Sequence, residues 1–226
     1  MDAVLPDAAA EAGVVTQRSF QATVARLVID PDFRDRVRAD GAVALDGDLT
    51  SLEQERAMAI VGDKGLDFTR TLHKNFRLTK LYTMLPLTRA LLGPARLAKE
   101  VGAFWKAELP VSHYFLEEAM AFCDFLQNRL RSGLRIKYLR EIVAYERANL
   151  DLRRPRTNGD APAPQFVRFD HDPVTLFTQL MRGQAPRAVP ALSCRLVGSV
   201  GHDGEVQWDI STSGRRSRLL RSEVPN

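Results

Sequence analysis

A chain of 226 residues with 45% hydrophobic content can bury one substantial core and a second, smaller one. Its apolar runs are only a few residues long, and MDAVLPDAAAEAG lacks a basic region followed by an apolar core, which argues against a membrane span or secretory signal and for a cytoplasmic protein. Residues 1–152 carry 21 basic and 21 acidic side chains, whereas 153–226 carry 11 arginines and 7 acids, so the net charge of +4 resides in the last third, where an electrostatically attracted partner would be met.

From Thr16 to about Leu152 the pattern is helical. Phe20, Val24, Leu27 and Val28 share one face of the first helix, and Pro31 opens a short second helix that Gly41 closes. Thr50 and Glu53 have capping-box spacing for a helix that runs to Gly62. In GLDFTRTLHKNFRLTKLYTM, Leu66, Leu72, Phe76, Leu78 and Leu81 fit a long amphipathic helix, and Pro86, Gly93 and Pro94 punctuate shorter ones. SHYFLEEAMAFCDFLQNRL places Phe115, Ala119, Phe122, Phe125 and Leu126 at helical spacing. LRIKYLREIVAYERANL follows after Gly133 with Leu139, Ile142 and Val143, and the two helices are expected to pack as an antiparallel pair.

The composition then changes. RRPRTNGDAPAP, residues 153–164, contains three prolines, a glycine and no large apolar residue, and reads as a linker. QFVRF is a short strand, PVTLFTQLMRG a helix with a Pro start and a Gly stop, and ALSCRLVGSV and EVQWDIS are strands joined by the GHDG turn at 201–204. The expected fold is α+β: an all-α domain over 1–152, then a small domain over 165–211 with a three-stranded antiparallel sheet and one helix. Such a sheet leaves an open edge. Residues 212–226, with Arg215, Arg216, Arg218 and Arg221, have the composition of a mobile basic tail.

In FDHDP, Asp172 is the natural N-cap and Pro173 the first helical residue, while Asp170 and His171 complete the turn out of the strand, so the stretch reads as structural punctuation rather than a metal site. His113 and Glu117 lie four apart, yet no second helix supplies a matching carboxylate–histidine motif; His73 and His202 read as surface residues. Cys123 and Cys194 lack CxxC spacing and read as core thiols. Phe104, Trp105, Tyr114, Phe115, Phe122 and Phe125 read as bundle core. No GxSxG, GxxxxGK[ST] or strand-borne GxGxxG is present, so catalytic residues are not expected in this chain.

YLREIVAYERANLDL, the Pro-rich break, FVRFDHDPVTLFTQLMRG and the hairpin ending in Trp208-Asp209-Ile210 resemble, over about residues 135–211, the partner subunits of multinuclear non-haem iron oxidative enzymes in ribosomal peptide natural-product biosynthesis, of the methanobactin and 3-thiaglutamate types. The resemblance implies a separate TIM-barrel iron enzyme, no cofactor in this chain, and a precursor peptide whose leader adds a strand to the small sheet of a peptide-recognition-element-like domain. It implies peptide contacts near Arg168, Leu176, Phe177, Leu180, Cys194, Arg195 and Leu196, with 193–198 as the paired edge, and enzyme docking on the helical domain. Tyr138 and Tyr145, seven apart, either close their helix over the others or face the partner. Two other readings remain open. One is a winged DNA-binding regulator, against which stand the modest net charge and the absence of a basic recognition helix. The other is a helical metalloenzyme using His73, His113 and Glu117.

Overall fold

The computed structural model describes residues 8–108, 115–155, 162–212 and 215–218. They form two compact units, Met1–Leu78 and Thr79–Asn226. The fold is α+β, with the helices first and an antiparallel sheet carrying one helix toward the C-terminus.

The first unit contains α1 (Ala8–Ile29), α2 (Pro31–Asp40), a 3-10 turn (Gly41–Ala44), α3 (Ser51–Gly62) and most of α4 (Lys64–Met84). Local chemistry sets the boundaries. Asp30 Oδ1 accepts from Phe33 N at 3.0 Å to cap α2, and Pro31 takes the first helical position. The capping box of Thr50 and Glu53 starts α3 as the spacing predicts. The core is Leu27, Phe33, Val37, Val61 and Leu66, with the Arg26 guanidinium 4.0 Å from the centre of the Phe33 ring. Leu72 and Phe76, expected on the apolar face of α4, are exposed.

The second unit holds α5 (Pro86–Ala107), α6 (Phe115–Arg131), α7 (Leu139–Arg153), β1 (Gln165–His171), α8 (Pro173–Met181), β2 (Ala191–Val200), β3 (Val206–Thr212) and β4 (Arg215–Arg218). Gly93, at φ 67° and ψ 168°, breaks α5 just before Pro94. α6 packs on α7 as expected, and Phe104, Phe122 and Phe125 form a ring cluster with centroids 5.3–6.2 Å apart. Cys123 is a free buried thiol there.

The sheet runs β1-β2-β3-β4, antiparallel throughout. Its inner side presents Val167, Phe169, Cys194, Leu196, Trp208 and Ile210, which share one core with Ile142 and Leu152 of α7 and with Leu176 and Leu180 of α8. Two expectations change here. The sheet does not stand apart after residue 152: Ile142, Ala148 and Leu152 of α7 are part of its core, so the helical region from Thr79 onward and the sheet form one unit. The segment expected to be a mobile tail contributes β4, because Thr212 pairs with Arg215 and the side of β3 away from β2 still has backbone groups to satisfy. Arg221 and residues 156–161 of the linker lie outside the described residues.

Candidate functional site

Five polar or aromatic side chains of YLREIVAYERAN, in α7 and at the position before it, reach other elements of the unit. Tyr138 precedes the helix in a left-handed conformation at φ 67°, and its ring meets His171 edge-on at 4.8 Å. One turn into the helix, Glu141 Oε1 accepts from Asp170 N at 2.7 Å and His171 N at 3.0 Å, and Oε2 lies 3.0 Å from His171 Nδ1. Tyr145 packs on Phe177 and Trp208 at 4.6 and 4.9 Å between centroids. Glu146 accepts from the backbone of Leu87 and Thr88, and Asn149 Oδ1 accepts from Trp208 Nε1 at 3.3 Å. Tyr138 and Glu141 reach β1, Tyr145 reaches α8 and β3, Glu146 reaches α5 and Asn149 reaches β3, so the motif is a clasp joining four elements.

Burial tunes these groups. Glu146 is removed from water, which pushes its carboxyl up from 4.5 to about 7, although backbone hydrogen bonds from Leu87 and Thr88 oppose the rise. Tyr145 is pushed up to about 12, mainly by burial and then by Glu146. Burial also raises Cys123 and Cys194, the latter with Asp172 beside it, so both stay thiols at neutral pH and neither is an activated nucleophile.

FDHDP is built as punctuation. The Asp172 carboxylate accepts from Val174 N and Thr175 N at 3.3 and 3.1 Å, Pro173 opens α8, and Asp172 N donates to Pro190 O. The β1–β2 register slips between Phe169 and His171, which turns the N–H groups of both Asp170 and His171 toward Glu141. His171 is therefore committed to Glu141 and Tyr138.

The expected peptide-contact residues divide into three sets. Leu176, Leu180, Cys194 and Leu196 are buried, and Phe177 is half-buried between Tyr145 and Phe169, so these five fill the protein's own core. Arg168 and Arg195 are exposed and paired across the β1–β2 ladder. Phe166, missed at first, is 62% exposed and carries the Arg195 guanidinium 6.0 Å from its ring centre. The edge assignment requires correction: residues 193–198 lie in β2, an inner strand that pairs with β1 on one side and, from Arg195 to Val200, with β3 on the other. Tyr138 and Tyr145 likewise do not form a partner-facing stripe, since both rings pack on the sheet and α8.

Among the described residues the outer strands are β1 and β4, and no strand pairs with the side of β1 away from β2. The Glu141 carboxylate covers the end of that strand at Asp170 and His171, leaving Gln165–Phe169 as the open stretch. Alternation points Val167 and Phe169 into the core and Phe166 and Arg168 outward. No group of three metal-ligating side chains occurs among the described residues, and no helix among them is long and apolar enough to cross a membrane. His113 lies outside the described residues, His73 is half-buried and His202 exposed. Comparison with protein-family models and with curated proteins found no match.

Proposed function

We propose that this chain is a non-catalytic partner subunit that binds a ribosomally made precursor peptide by strand addition and presents it to a separate iron-dependent oxidative enzyme. The observation that carries the reading is β1: an outer strand backed by a firm core, with its outward backbone groups available from Gln165 to Phe169. The resemblance of the α7 motif and the FDHDP turn to partner subunits of such enzymes supports the rest.

Energetics constrain how the peptide is held. A stretch this short forms about four backbone hydrogen bonds, worth roughly 1 kcal/mol each net, and ordering the peptide offsets much of that. Side-chain contacts must supply the balance. Phe166, Arg168 and Arg195 on the outward side of the sheet offer an apolar ring and two cations to a peptide lying along β1. The arginines favour an acidic peptide and act more on encounter rate than on depth of binding.

The test is co-expression with the products of neighbouring genes, followed by hydrogen exchange on the purified assembly. Retention of an iron enzyme and a cysteine-bearing peptide, with new protection of amides in 165–169, is the expected result. A chain recovered alone with its own stoichiometric metal, or a bound peptide that protects no β1 amide, would overturn the proposal.

A further inference from the structure

Beyond the sheet edge, α8 offers a second surface. Leu176 and Leu180 point into the core, while Val174, Thr178, Gln179 and Arg182 line an open groove of about 750 Å³ whose far wall includes Ala185 and Arg187. The volume lies within the roughly 300–1,000 Å³ of ligand-binding clefts.

The far wall is held in place. Gly183, at φ 69°, turns the chain back, and Gln184 N donates to Gln179 O at 2.9 Å. The Gln179 amide then clasps Arg187 twice: Arg187 N donates to Oε1 at 2.7 Å and Nε2 donates to Arg187 O at 3.0 Å. The groove is therefore a fixed feature between a helix and a tethered loop.

Its charge is one-sided. Arg182 and Arg187 are exposed, neither forms an ion pair with a carboxylate among the described residues, and the groove lining contains no acidic side chain. Val174 and Ala185 add small apolar side chains to the same lining. A single-stranded nucleic acid would call for aromatic rings to stack on, and the lining has none. A groove that combines two free cations with small apolar surfaces matches a peptide carrying carboxylates and aliphatic side chains.

We infer that the groove between α8 and residues 184–187 is a binding site for an acidic, aliphatic peptide segment, with Arg182 and Arg187 receiving its carboxylates. The site is distinct from the β1 edge and does not depend on strand addition there.

The experiment uses the full chain and two short fluorescent peptides, one alternating Glu and Leu and one alternating Gln and Leu, read by anisotropy. The Glu peptide should bind roughly three- to tenfold tighter at low salt, and the advantage should shrink as salt rises. In a chain also carrying R168Q and R195Q, R182Q combined with R187Q should abolish the advantage, and Thr178→Trp, which fills the groove from an exposed position, should weaken the Glu peptide independently. The R168Q/R195Q change by itself, which removes the cations of the β1 face, should leave a Glu advantage, which separates this site from the β1 edge. Equal binding of the two peptides, an advantage that survives R182Q/R187Q in the R168Q/R195Q background, unchanged binding in Thr178→Trp, or an advantage lost in R168Q/R195Q alone would each overturn the inference. Displacement of the Glu peptide by equimolar inorganic phosphate would also overturn it, marking a simple anion site.

Discussion

Glu146 and Leu87, 59 positions apart, are joined by a 2.7 Å hydrogen bond from the Leu87 N–H to the Glu146 carboxylate, whose second oxygen accepts from Thr88 N at 3.0 Å. Leu85 precedes Pro86 at the start of α5 and offers no side-chain cap, so the helix takes its N-cap from α7. A carboxylate at that position also meets the positive end of the α5 dipole.

A pH dependence follows from the burial of Glu146. Its carboxyl is raised from 4.5 to about 7 in the folded chain, so between these values the folded state binds a proton that the unfolded state has released. Stability contributed by this group is thus greatest below the unfolded value and falls as pH rises toward and past about 7, by an amount on the order of 3 kcal/mol. Denaturant titrations of the wild type and Glu146→Gln across this range provide the check. The variant should lose part of the cap at every pH and show a flatter pH profile; parallel profiles would refute the assignment.

Glu141 satisfies two backbone donors and the His171 ring at the end of β1. Glu141→Ala would leave the N–H groups of Asp170 and His171 without that acceptor at a half-buried site, costing about 2–3 kcal/mol. Hydrogen exchange should speed up in 165–171, where the Glu141 hydrogen bonds lie, more than in α6. Uniform acceleration across the second unit would mean that Glu141 acts on global stability rather than on the strand end.

Short-range features were legible from sequence because their determinants sit within a turn of one another. The helix start at Pro31, the caps at Thr50 and Asp172 and the turn at 201–204 are of this kind. Strand 191–200 was legible as a strand, but its central place was not, because sheet order depends on the return of the chain through α8 and on pairing with β1 and β3. Helical spacing puts Tyr138 and Tyr145 on one side of α7 without saying whether another element covers it. Glu141 and Glu146 were missed for a related reason: acids on a helix read as solvent-facing unless their distant backbone donors are known. β4 was hidden by its Arg-Arg-Ser-Arg composition, which has little strand preference of its own.

Gly198 provides a packing test. It faces Trp208 across the β2–β3 ladder, and a Cβ there would lie 2.7 Å from the indole ring and 2.8 Å from Leu152 Cδ1. The ring is fixed by Tyr145 and by the Asn149 hydrogen bond, so it has little room to yield. Gly198→Ala should destabilise the second unit by roughly 1–3 kcal/mol despite the better strand preference of alanine. Thermal unfolding with tryptophan fluorescence checks this, and a neutral or stabilising result would show that the Trp208 ring can shift.

Phe166 and Leu176 separate stability from recognition, because one ring stands outward on β1 while the other side chain is fully buried in the shared core. Leu176→Ala should cost about 2–5 kcal/mol by leaving a cavity beneath the sheet. Phe166→Ala loses little protected apolar surface and should change stability by no more than about 0.5 kcal/mol. If a precursor peptide lies along β1, the same Phe166→Ala variant loses an apolar contact and the ring that carries Arg195, and its peptide affinity should fall about tenfold. Calorimetric titration of the precursor peptide into folded Phe166→Ala supplies the comparison. A stable variant with undiminished affinity would remove the outward face of β1 from the peptide-binding surface and leave the backbone edge to be tested by itself.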